Sequence, residues 1–271
     1  MIRIWSSPIQ EKARCLLGRL PLLGVLAIFS FGGDVVRAEQ SRGIVSITFD
    51  DGAKVQYDYG LLLAQELRLP GTIFLPTGLV RERADTPQDS WIMAWDDVLK
   101  FHEAGWEIGV HGHTHVRLPD LKAEQLETEL VQPILEVETR TGVRPVSFSS
   151  PFGAFSDETI ARIMAHYDYH LSWKGFGGRN PIEEVDPSYI GRLEVTHEME
   201  AVTVCGEMVR AAQNDVWLVL LIHGLVEGTP GEYEVSVSTY REILSCAAYL
   251  DDAGIIDVVT VRDAMARVVP E

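Results

Sequence analysis

Two adjacent carboxylates and a spaced set of imidazoles carry the chemistry open to this chain. Thr48-Phe49-Asp50-Asp51-Gly52 places two acids in one turn, His111-Gly-His-Thr-His115 places two imidazoles four residues apart, and Leu220-Leu-Ile-His223 ends an apolar run on a histidine. Between them lie Phe148-Ser-Ser-Pro-Phe-Gly153 and the stretch around Trp173. Each stretch is common by chance. Their order along the chain and their position after apolar runs make the set specific.

Residues four apart in a helical turn or tight loop share a side, so His111 and His115 can bind one divalent metal ion. With Asp51 they make three protein ligands and leave a position for water, the arrangement of a catalytic zinc centre. Asp50 is then free to take a proton from that water. His223 titrates in the range needed to protonate a leaving nitrogen or oxygen. Leu221 and Ile222 could wall the space an acetyl methyl group would fill. Plainer readings stand beside each: Asp-Asp-Gly as a helix cap, the histidines as a solvated loop, His223 and Ile222 as core. His113, between the pair, fits the solvated loop better than the metal. A His111-x-His113 metal pair would suit another hydrolase barrel, the amidohydrolase type. It falls at about the third strand here instead of the first, and no lysine or later histidine pair completes that set.

Apolar, β-rich runs precede these groups at Ile44–Phe49, Thr72–Leu75, Trp106–Val110, Val146–Phe148, Ile190–Val195, Trp217–Ile222 and Ile256–Val259. Helical patterns separate them at Val55–Leu67, Trp95–Glu103, Leu121–Thr139, Asp157–Ala165, Val202–Ala212 and Thr239–Leu250. Strand then helix, repeated about seven times, predicts an α/β fold: one domain with parallel strands closed or nearly closed into a barrel. Sites in such barrels gather at the C-terminal strand ends, where Asp50, Asp51, His111, Pro151 and His223 fall.

Residues 1–38 read as a secretory signal peptide: basic residues, an apolar run from Leu20 to about Phe31, then small residues at Val36-Arg-Ala38. That leaves residues 39–271 as the exported working domain, periplasmic or secreted, with no membrane span in the mature chain; an uncleaved membrane anchor is the runner-up reading of the N-terminal segment. The whole chain carries a formal charge of −17, and the loss of five basic and two acidic residues would take it to −20. So acidic a surface repels phosphate backbones and anionic membranes, which argues against nucleic acid or lipid head groups as partners. Cys205 and Cys246 could form one disulfide or remain two buried thiols. Trp91, Trp95 and Trp106 read as packing residues.

Over residues 44–265 the chain resembles the polysaccharide deacetylase family, carbohydrate esterase family 4. The resemblance implies a deformed (β/α) barrel of about seven parallel strands. It implies removal of acetyl groups, from nitrogen before oxygen, from an acetylated glycan, with zinc, cobalt or another divalent metal ion as cofactor. Asp50 would be the general base, Asp51, His111 and His115 the metal ligands, and His223 the general acid. Phe152 and Trp173 would line the sugar groove. Three positions depart from the family pattern. Gly112 stands where a loop-bracing Ser or Thr is usual, Ser149 where an arginine pairs with the base, and Ser172 where an aspartate precedes Trp173. Arg192 is the candidate to replace the arginine, although an ordinary surface arginine is the plainer reading. A glycan-binding protein without turnover is the alternative function that these departures allow.

Overall fold

The structure is a computed structural model and describes residues 42–83, 91–172 and 176–269. The signal-peptide segment and Trp173 lie outside the described residues.

Two strands form the frame. β1 (Gly43–Phe49) and β9 (Val216–Ile222) are nearly continuous apolar runs with almost every residue buried, as parallel strands covered on both faces require. They pair in parallel from Ile44↔Trp217 to Phe49↔Ile222. This register sets the next residue of each strand, Asp50 and His223, at the same end of the sheet. Along β1 the side chains alternate. Val45, Ile47 and Phe49 join the cluster beneath the helices, whereas Ile44 belongs to a second cluster with Trp217, Val219 and Phe74. Asp50 keeps the parity of Ile44, Ser46 and Thr48, so the pleat points it away from the helical layer.

The remaining staves follow in order: β2 (Thr72–Leu75), β3 (Glu107–Val110), β4 (Ser147–Ser149) and β5 (Tyr169–Ser172), all parallel. β6 (Arg179–Pro181) lies antiparallel against β9. Closure comes from one segment. β7 (Ile190–Gly191) pairs with β5, and β8 (Leu193–Glu194) pairs with β9, so Arg192 stands where the chain crosses the seam. Counting that segment as one stave, the nearly closed barrel has seven parallel positions, the expected number, with β5 in the ring and the expected strand at Ile256–Val259 off it. β10 (Gly224–Val226) and β11 (Glu234–Ser236) form a separate two-stranded sheet, and β12 (Ile256–Val258) pairs with the first half of β1.

Helices cover the outside: α1 (Leu62–Glu66), α2 (Trp95–Glu103), α3 (Ala123–Thr141), α4 (Asp157–Ile163), α5 (Ala201–Gln213), α6 (Val237–Asp252) and α7 (Val261–Val268). The helix expected from Val55 begins as a wide turn over Gln56–Leu61. Its buried Gln56 side chain donates to the carbonyls of Asp50 (2.5 Å) and His223 (2.6 Å), tying both strand ends together. Gly60 is needed there, because a Cβ would meet the Phe49 ring at 2.6 Å. Cys205 on α5 and Cys246 on α6 form a disulfide, which decides between the two readings left open above. Closing a loop of this length restricts the unfolded chain by about 4 kcal/mol on the entropic account. Of the three tryptophans read as packing, Trp95 and Trp106 are buried, but Trp91 is largely exposed.

Candidate active site

The two acids of the first motif diverge because the backbone reverses between them. Asp51 and Gly52 both take the left-handed conformation, with φ of 74° and 65°. Aspartate tolerates this better than most residues, and glycine adopts it freely. Asp50 therefore continues the inward parity of β1, while Asp51 turns into the cavity above the strand ends.

His111 follows β3. Its Nδ1–H donates to the Ser149 carbonyl at 2.8 Å, which leaves Nε2 as the free lone pair, 3.4 Å from Oδ1 of Asp51. The loop then doubles back through Gly112 (φ 75°) to His115 (φ 55°), whose Nε2 lies 3.1 Å from the same Asp51 oxygen. Glu129 on α3 holds this loop. It accepts the backbone N–H groups of His113 (2.7 Å) and Thr114 (2.8 Å) and the Thr114 hydroxyl (2.5 Å). A Cβ at position 112 would sit 3.0 Å from the Glu129 carboxylate. The glycine thus goes with a different brace, supplied from a helix instead of a neighbouring hydroxyl. His113 turns aside, with Nδ1 3.2 Å from the Thr77 hydroxyl and 3.6 Å from Glu136.

One ligand atom from each of Asp51, His111 and His115 lies within 4.8 Å of the other two. Tetrahedral zinc with bonds of ~2.0–2.1 Å spaces its ligands by about 3.3 Å. The distances at Asp51 match that, and one carboxylate with two imidazoles, that of His111 oriented by the Ser149 carbonyl, is a donor set suited to zinc or a similar ion. The three residues fit a metal.

Asp50 is almost wholly buried and is met by Arg192, itself only 1% exposed. Two parallel hydrogen bonds join them, at 2.7 Å to Oδ1 and 2.8 Å to Oδ2. The Ser149 hydroxyl donates to Oδ2 at 2.9 Å and accepts from Arg192 at 2.7 Å. Burial pushes the Asp50 carboxyl up, but the charge of the Arg192 guanidinium and its hydrogen bonds outweigh it and hold the pKa at about 2. The reading of Arg192 as a surface residue is corrected: a charge this buried needs a partner, and the partner is 142 positions away in sequence.

His223 follows β9 directly. Its Nδ1 lies 3.2 Å from Oε1 of Glu194, an ion-pair separation whose angle falls short of a hydrogen bond. Burial lowers the imidazole pKa, but Glu194, Asp50 and Asp51 together raise it above its ordinary value. These groups line a cavity of about 440 Å³ that also takes in Ser150, Phe152 and Tyr233. Phe152 is half exposed in a left-handed conformation, with its ring 4.6 Å from that of His115. Ile222 is wholly buried in the core beneath, outside the cavity lining, so packing describes its side chain better than contact with an acetyl group.

Four residues around the site escaped sequence reading: Gln56, Glu129, Glu194 and Tyr233. Glu129 left a signal, since it falls on the buried face of α3 with Leu126, Leu130 and Ile134. An acid on an apolar stripe has to find donors. Glu194 left a weaker one, two residues from Arg192 on an extended segment and so on the same side.

A family profile described as polysaccharide deacetylase matches residues 37–171. A curated peptidoglycan deacetylase from Helicobacter pylori is 27% identical over 150 residues. That match takes in 54% of this chain and 45% of the relative, so the chain matches less than half of that protein's length. Among solved structures, a peptidoglycan deacetylase from Bacillus subtilis aligns with TM-score 0.52 at 18% identity, over 85% of this chain and 93% of that one. The CE4 domain of a multidomain xylanase from the hindgut metagenome of Trinervitermes trinervoides aligns with TM-score 0.52 at 16% identity, over 84% and 91%. At these identities the structural likeness shows the fold.

Proposed function

Because the chain belongs to the polysaccharide deacetylase family, we propose that it is a metal-dependent hydrolase that removes acetyl groups from a glycan, amides before esters. One observation carries this reading. Asp50 and His223, brought level by the β1–β9 register, open on the same cavity as the clustered Asp51, His111 and His115.

Asp51, His111 and His115 would hold the metal. When bound there, a divalent ion such as zinc supplies Lewis acidity, polarising the acetyl carbonyl and acidifying water. Asp50, ionised at any working pH, accepts the proton of the attacking water. His223, with Nδ1 toward Glu194, presents Nε2 to the cavity and protonates the departing amine as the bond to the acetyl carbon breaks. Acetate and a free amine on the sugar are the products. Phe152 stands on the rim, where an aromatic face can stack on a pyranose ring. Export through the N-terminal 38 residues would bring residues 39–271, read as the catalytic domain, to such a substrate. The acidic surface suits neutral or cationic glycans.

The test is acetate release from N-acetylglucosamine oligomers, peptidoglycan fragments and O-acetylated xylan with zinc or cobalt supplied. Metal-dependent release that Asp50→Asn abolishes supports the reading. Folded, metal-loaded protein that releases none from any of them contradicts it and favours a glycan-binding role.

A further inference from the structure

The proton transfers just described need Asp50 and His223 held in fixed orientations, yet Ser149 stands where the resemblance would place the arginine that pairs with the base. We propose that a single segment, Gly191-Arg-Leu-Glu194, does both jobs: Arg192 positions Asp50, and Glu194 positions His223. The inference rests on the reading of Asp50 as base and His223 as acid.

Three features of the fold lead to it. Residues i and i+2 of an extended chain share a face, so Arg192 and Glu194 both point into the site end of the barrel while Leu193 turns away. The segment is fixed on both flanks, by β5 at Leu171↔Ile190 and Ser172↔Gly191 and by β9 at Leu193↔Leu220 and Glu194↔Leu221. The β9 pairing places Glu194 beside Leu221, two residues before His223. Charge complementarity then completes the arrangement. The cation meets the base through two hydrogen bonds of 2.7 and 2.8 Å, and the anion meets the acid at 3.2 Å.

The consequences differ at the two ends. Arg192 fixes both oxygens of Asp50, so the carboxylate cannot rotate, and Ser149 bridges the pair as a neutral spacer. Glu194 lies 3.2 Å from Nδ1 of His223, where its negative charge favours the tautomer protonated on that nitrogen and leaves Nε2 for the cavity. A slip of the segment by one residue would turn both charges to the other face. Base and acid are therefore oriented together by the register of one short stretch at the seam.

Glu194→Gln is the decisive variant, because Glu194 is near the rim and its loss need not unfold the protein. Turnover of an acetylated oligosaccharide should fall about tenfold or more in kcat with KM within about twofold, and Glu194→Asp should recover part of it. In a His223→Asn background, Glu194→Gln should add no further loss. Bound zinc should stay at the parent level. Nitrogen-15 chemical shifts of His223 should show the Nδ1–H tautomer in the parent and a mixture in Glu194→Gln, a readout that needs no turnover. Glu194→Gln with kcat within twofold of the parent, an added loss in the His223→Asn background, or an unchanged tautomer would overturn the inference. A parent that releases no acetate would sink the deacetylase reading instead, and the tautomer would then decide the role of Glu194.

Discussion

Two buried carboxylates at opposite ends of the barrel have been given opposite partners. At the C-terminal strand ends, Asp50 faces the guanidinium of Arg192, and its pKa lies well below the ordinary range. Glu107, which opens β3 at the other end, meets neutral donors: the hydroxyls of Thr72 (3.0 Å) and Ser147 (2.7 Å) and the backbone N–H of Arg262 (2.8 Å). Burial dominates there and raises its pKa, with those donors and the charge of Arg262 only partly offsetting it. A full countercharge keeps an acid ionised and ready to take a proton. Neutral donors turn an acid into a structural clasp, here joining β2, β3 and β4 to the start of α7. Burial alone therefore does not decide whether a carboxylate stays ionised; the partner does.

Exchanging charge for neutrality at each acid should separate the two roles. Asp50→Asn should lower kcat by on the order of 10³ while zinc remains bound, as loss of a general base does. Glu107→Gln should leave turnover within about twofold and cost about 2 kcal/mol of stability, because the amide cannot accept all the donors it inherits. Denaturant unfolding and acetate assays on both variants check the pair. Equal losses of activity from the two would break the comparison.

A buried histidine sharpens it from the opposite sign. Nδ1–H of His170 donates to the Ser188 carbonyl, and Nε2 accepts from the Ser150 hydroxyl, both at 2.8 Å. Burial, reinforced by the charge of Arg192, carries its pKa down to about 4 against the opposing pull of the Ser188 carbonyl and Asp186. As pH falls, the unfolded chain takes up this proton first. The stability contribution is therefore complete above the ordinary value of about 6.5 and is lost on the way down to 4. Between pH 7 and pH 5 the loss should be about 2 kcal/mol, and His170→Gln should flatten the profile in that window.

The smallest effect belongs to Glu129, an acid that accepts from backbone and hydroxyl donors of the His111–His115 loop. Glu129→Ala should weaken zinc binding about tenfold through a looser His111–His115 loop, with the fold intact. Competition with a chromophoric chelator measures it.

Much of this was legible from the chain because strand ends and helix periods are local. α2 falls on the predicted residues, and Asp50, His111 and His223 each follow a predicted strand. β5 was missed because Tyr169-His-Leu-Ser172 has one aliphatic residue in four and a histidine in its middle, whose burial is made tolerable by its Ser150 and Ser188 partners. α7 was missed because it is eight residues long with charges on one face. The partners of the site were hidden for a different reason. Arg192 is 142 positions from Asp50, and Glu129 is 16 from the backbone N–H it accepts, so neither is implied by its own neighbours. Pairwise charge needs the fold before it can be read.

The most direct measurement is acetate release by the zinc-loaded protein from an N-acetylglucosamine oligomer, run beside Asp50→Asn with bound zinc assayed in both. The expected result is turnover in the parent, loss on the order of 10³ in the variant, and one zinc in each. Zinc-loaded, folded parent that releases no acetate from any acetylated glycan, or a variant as active as the parent, would contradict it.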